Sequence, residues 1–185
     1  MVLKPQDILV LLKLALRDAR ISYVELAHEL GISPSEAHAA IRRAWKAGLL
    51  NISTWKPKRE ALLEFLIHGL KYVFPAERGT STRGMPTGFA APPLKQHVVR
   101  EPLVGISHRP IPVWPDPEGE ARGEELKPLY KSVPKAARND PELYELLVLV
   151  DAIRSGGARE QRLARIELEK RLAVPPSSAS SSRAS

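Results

Sequence analysis

Leu26 to Ala44 reads LAHELGISPSEAHAAIRRA. Two short amphipathic helices meet there at a corner around Gly31, and the second carries arginines on its outer side. Before the corner, Ser22 with Glu25 three residues later has the spacing of a reciprocal capping box. Tyr23, Leu26, Ala27 and Leu30 then follow on the inner side. After it, SPSE repeats the device: Ser33 caps, Pro34 takes the first helical position, where its missing amide proton costs nothing, and Glu36 reaches back to the cap amide. At about 100° per residue, Ala37, Ala40, Ile41, Ala44 and Trp45 turn inward. Ser35, His38, Ala39, Arg42, Arg43 and Lys46 turn outward. Ala27 lets the two helices approach, Gly31 permits a positive φ at the corner, and Gly48 supplies the C-terminal stop.

A helix precedes this pair. It should open at Pro5 with Asp7 in its first turn, and Ile8, Leu9, Leu11, Leu12, Ala15 and Leu16 form one apolar stripe, while Val10 and Leu14 stray onto the outer face. Two capped short helices with this alternation are expected to form a helix-turn-helix, whose second member enters the major groove of DNA; an ordinary helical hairpin is the bland alternative. On the DNA reading the outward face meets the duplex, with Ala39 on it. Ser35, His38 and Arg42 are the candidates for base contacts, and Arg43, Lys46, Lys56 and Lys58 for phosphates. His38 is equally readable as an uninvolved surface histidine.

Lys4 to Leu50 resembles the winged helix-turn-helix of MarR-like bacterial transcriptional regulators, best over YVELAHELGISPSEAHAAIRRAWKAGLL. The resemblance implies a wing hairpin beginning at Leu49–Ile52, with Lys56-Pro57-Lys58 near its tip. NISTWKPK departs from that pattern, leaving little room for a returning strand before helix resumes at about Arg59. The remaining two thirds resemble bacterial proteins that share this winged-helix start, which implies no activity.

Composition agrees with a polyanionic partner. The 185 residues carry a net charge of +7. No acidic residue stands between Glu36 and Glu60, where Arg42, Arg43, Lys46, Lys56, Lys58 and Arg59 all fall. The chain has no cysteine, which removes disulfides, thiolate chemistry and cysteine-ligated metals. No apolar run approaches the roughly 20 residues needed to span a bilayer, and MVLKPQDIL lacks the features of a leader. A cytoplasmic location is expected, associated with the nucleoid when on DNA.

The expected fold is mainly α: a winged helix-turn-helix domain with its following apolar helix over residues 1–74, a Pro/Gly-rich extended wrapping segment over 75–131, a C-terminal helical region over 132–173, and a disordered tail over 174–185. Phe89, Leu94, Val98, Val99, Leu103, Val113 and Trp114 give the middle segment the apolar anchors that a flexible spacer lacks. The helix REALLEFLIHGLKYVF (Arg59 to Phe74) is apolar over most of its circumference. It is therefore either a homodimer interface or covered by the rest of the chain. Asp140-Pro141-Glu142 starts a helix that Ser155-Gly156-Gly157 breaks, and a charged last helix presents Leu163, Ile166 and Leu172 as a thin stripe, with Glu167 and Arg171 paired.

The functional expectation is a transcriptional regulator binding double-stranded DNA as a homodimer, with no metal or cofactor. A rival reading makes it an antitoxin or adaptor whose C-terminal half holds a partner protein while DNA binding serves autoregulation. An enzyme is disfavoured, because the five histidines show no ligand spacing and no Walker loop, HExxH or nucleophile elbow occurs. RGTSTRG is read as a glycine-rich turn, with Arg78 and Arg83 as candidates for contact with an anion or effector.

Overall fold

The computed structural model describes residues 2–100 and 109–173, with the side chains of 98–100 left aside. Expectations for Val98, Val99, Leu103 and the tail at 174–185 concern side chains or residues outside that set. The element order is α1 (Pro5–Ala15), α2 (Tyr23–Leu30), α3 (Pro34–Lys46), then α4 (Arg59–Glu64) continuing through a π-helical turn (Phe65–Gly69) into α5 (Leu70–Val73). A strand β1 (Arg78–Pro86), a 3-10 turn (Gly88–Ala90), α6 (Leu94–Arg100), β2 (Pro112–Pro115) and β3 (Ala121–Leu126) follow. The chain ends in α7 (Val133–Asn139), α8 (Pro141–Ser155) and α9 (Ala158–Leu172). The architecture is mainly α, with a winged helix-turn-helix at the start and a small sheet in the Pro/Gly-rich middle. No described helix is long and apolar enough to cross a membrane.

The caps act largely as their spacing requires. Ser33 Oγ accepts from the Glu36 amide at 3.1 Å and Glu36 Oε2 accepts from the Ser33 amide at 2.8 Å, closing both halves of the box on α3. On α2 only one half is made, Ser22 Oγ accepting from Glu25 N at 3.1 Å. Gly31 ends α2 at φ 64°, a left-handed conformation that glycine adopts without steric penalty. Asp140 caps α8, accepting from Leu143 N at 3.0 Å.

α1 is buried on every side. Ile8, Leu9, Val10, Leu11 and Leu12 all have 0% exposure and Leu14 has 3%, so Val10 and Leu14 are core residues rather than surface strays. Their cover is α8, which lies against α1 and whose Leu146 to Ile153 are themselves buried. Leu62, Leu66 and Leu70 are likewise enclosed, by α8 and α9; of that helix's apolar side chains, Tyr72 and Val73 stay exposed. The apolar faces left open at the level of sequence are thus closed within one chain.

The middle segment is not merely extended. β1 runs antiparallel to β2 (Met85 opposite Trp114) and to β3 (Thr82 opposite Gly123), while β2 and β3 pair in parallel where Pro112 meets Glu124, so the three strands close on themselves. Such a narrow barrel needs backbones in contact: a Cβ on Gly84 would lie 2.0 Å from Trp114 O. A buried polar node fastens the barrel to α8. Asp151 Oδ2 accepts from Trp114 Nε1 (2.5 Å) and Thr87 Oγ1 (2.9 Å), and Oδ1 accepts from Arg154 Nη1 (2.7 Å). Burial pushes the Asp151 carboxyl up, against the pull of Arg154 and these donors. Phe89, Leu94, Val113 and Trp114 are buried, as apolar anchors should be.

On α9 the buried stripe is Ala164, Leu168 and Leu172, and Ile166 points out at 39% exposure, so the expected stripe is rotated. The Glu167–Arg171 pair forms as expected.

Candidate nucleic-acid interface

α3 rests on α1 and α2 through Ala37, Ala40, Ile41 and Ala44, each at 0% exposure. Small side chains there bring the backbones close, and the opposite side of the helix is left in solvent. Ser35, His38, Arg42 and Lys46 are exposed and Ala39 is half-buried. Among the described residues, neither the proline-rich middle nor the C-terminal helices bury that strip.

Two residues exchange places relative to expectation. Arg43 turns inward: it is 8% exposed, its Nε and Nη2 donating to Asp7 Oδ2 (2.8 Å) and Oδ1 (2.6 Å). Asp7 is fully buried and also accepts from the Lys4 amide at 2.8 Å. A guanidinium held bidentately by a buried carboxylate is a strut between α1 and α3 and is not free to meet a phosphate. Trp45 turns outward, at 44% exposure.

One flank of the outward strip is aromatic. The His38 ring stands edge-on to Tyr23 at 5.1 Å, Tyr23 packs on Trp55 at 4.3 Å, and the Arg20 guanidinium lies 4.2 Å over the Trp55 ring. Trp55 belongs to what stands where a wing would be. Asn51 N donates to Lys56 O (2.9 Å), Lys58 N donates to Leu49 O (2.9 Å), and Leu50 and Pro57 form an isolated bridge. The intervening turn is held by Asn51 Oδ1, which accepts from Ser53 N and Thr54 N, with Trp55 at φ 59°. This is a hairpin of minimal length, consistent with the little room that NISTWKPK leaves. Lys56 and Lys58 are exposed on it.

Along the other flank, Glu36 Oε1 accepts from Tyr130 OH at 2.7 Å, so the segment before α7 touches the N-terminus of α3. The Ser33 amide and the Tyr130 hydroxyl together hold the Glu36 carboxyl down to about 2, and the same bond pushes the Tyr130 phenol up to about 12. Nothing local in the sequence joins residues this far apart. The Asp7–Arg43 pair was hidden for the same reason.

Among the described residues Arg42, Lys46, Lys56 and Lys58 enter no ion pair. Arg138, Arg154, Arg165, Lys170 and Arg171 in the C-terminal helices are each neutralised by a carboxylate. Arg78 and Arg83 correct the expectation of an anion-holding turn. RGTSTRG is strand β1, Arg78 pairs with Glu124 and donates to Ser155 O at 3.0 Å, and Arg83 Nε donates to Gly119 O at 2.6 Å. His108 lies outside the described residues.

Residues 8–51 match a family of winged helix-turn-helix DNA-binding domains, a broader grouping than the MarR-like regulators. Comparison with curated proteins gave no match, and comparison with solved structures gave none. Residues 8–51 are thus a winged helix-turn-helix DNA-binding domain.

Proposed function

We propose that the chain is a sequence-specific regulator of transcription that inserts the outer strip of α3 into the major groove of duplex DNA. The observation that carries this reading is the row of exposed cations without carboxylate partners on and beside α3. No acidic residue between Glu36 and Glu60 offsets them, which leaves their charge open to a phosphate backbone. Ser35, His38 and Arg42, with Ala39 between them, are assigned to base edges, and Lys46, Lys56 and Lys58 to phosphates; Arg43 is withdrawn from the set. The MarR-like kinship and a cytoplasmic, nucleoid-bound life belong to the same proposal. One helix of this length meets few base pairs, so the active form is taken to be a homodimer on a pseudo-palindromic site.

The test is selection of bound duplexes from a random library, followed by titration of the best sequence. The parent enriches a consensus. Arg42→Ala relaxes preference at one position, while Lys56→Ala weakens all duplexes alike and lowers the salt slope by about one. Failure to enrich any sequence overturns the regulator reading, and a monomer in sedimentation with and without the selected duplex removes the dimer. The adaptor reading stands second, because the apolar residues of α8 are buried within the chain, against α1, α7 and α9.

A further inference from the structure

We infer that the segment between β3 and α7 supplies a second phosphate-binding flank through Lys131 and Lys135, so that α3 is held between two sets of cations. The inference rests on the proposed DNA binding and extends it to residues well outside the helix-turn-helix.

Position makes the case. Around α3 at about 100° per residue, the strip Ser35–Arg42–Lys46 has His38 on one side and Glu36 roughly a quarter turn away on the other. The His38 side leads through Tyr23 and Trp55 to Lys56 and Lys58. The Glu36 side leads to Tyr130, whose hydroxyl is bonded to that carboxylate, and to Lys131, whose charge acts on it. Lys135 is fixed to the same place: a Cβ on Gly31, at the corner between α2 and α3, would stand 3.4 Å from Ser132 Cβ and 3.5 Å from Lys135 Cδ.

Both lysines are exposed and neither joins an ion pair among the described residues, whereas Lys127, four residues before Lys131, is paired with Glu77 at 2.9 Å. Glu36 is the carboxylate on this flank. Its oxygens accept from the Ser33 amide and the Tyr130 hydroxyl, which fixes the carboxylate in place and leaves it ionised, so that the two lysines also offset its charge. A helix seated in a groove has a phosphate ridge along each side. The hairpin after α3 is too short to reach far, and the segment from Tyr130 to Lys135 stands where the opposite ridge would pass.

The experiment measures binding of the full chain to a fluorescein-labelled 30-base-pair duplex of mixed sequence across a salt series. Four proteins are compared: the parent, Arg42→Ala/Lys46→Ala, Lys131→Ala/Lys135→Ala, and Arg165→Ala/Lys170→Ala, which removes equal charge from α9. Expected for the Lys131/Lys135 variant is a log–log salt slope smaller than the parent's by about 1.8, the loss of two phosphate contacts, with an unchanged circular dichroism spectrum and the α9 control unaltered. Lys131→Glu/Lys135→Glu should weaken binding further. A Lys131/Lys135 variant with the parent's slope, beside a recognition-helix variant that has lost it, overturns the flank and spares the DNA reading. A parent that does not bind the duplex overturns both.

Discussion

Asp7 illustrates how a side chain can be placed correctly and still be misjudged. Its position in the first turn of α1 suits the helix dipole, and it does cap the Lys4 amide, but its larger task is to neutralise Arg43 inside the protein. Removing one partner of a buried pair leaves an uncompensated charge, so Asp7→Ala should cost about 3–5 kcal/mol in urea unfolding. Asp7→Leu/Arg43→Leu should recover much of that loss. Burial of Arg43 was not legible, since an arginine at the border of a polar face is read as exposed until its partner on another helix is known. The same bias toward burying apolar side chains misplaced Trp45.

Glu36 and Tyr130 give a pH signature. The folded Glu36 carboxyl titrates at about 2, below its ordinary 4.5. The stability it contributes is therefore whole above pH 4.5 and lost as pH falls toward 2. Tyr130 moves the other way, from 10 up to about 12, so its contribution is whole below pH 10 and lost as pH rises toward 12. Tyr130→Phe should reduce both the alkaline and the acid loss in part, since burial also pushes the Tyr144 phenol up to about 12, as read from midpoints of thermal unfolding across both ranges.

At the scale of elements, helices were far more legible than strands. Starts at Pro5, Ser22, Ser33 and Asp140, and the ends at Gly31 and Gly156, follow from local chemistry: caps, proline in the first turn, glycine after the last. The barrel could not be read this way. Prolines and glycines announce only that helix is excluded, and RGTSTRG lacks the apolar alternation of a half-buried strand because most of β1 faces solvent. Its closure depends on what is missing at Gly84, where Trp114 O occupies the space of a side chain. Gly84→Ala should accordingly cost about 1–3 kcal/mol as overpacking, and shift Trp114 emission to the red as the node at Asp151 opens.

At the scale of the whole molecule, the DNA-binding region and the C-terminal helices share one core. It runs from Ile8 on α1 to Leu172 on α9. Lys13, only 7% exposed, bridges Glu29 of α2 (2.7 Å) and the α8 cap Asp140 (2.6 Å), tying the helix-turn-helix to the far half by charge as well as packing. A fragment of residues 1–74 would expose the α8-facing side of α1 to water. We expect it to show weak, non-cooperative thermal unfolding and to aggregate, where the full chain melts in one transition; circular dichroism and light scattering decide this.

The outward turn of Trp45 has a practical consequence. Of the three tryptophans it alone is open to solvent, Trp55 and Trp114 being 3% and 0% exposed. The chain thus carries a native optical probe one residue from Lys46, able to register a docked duplex through quenching and loss of access to iodide, with no dye attached.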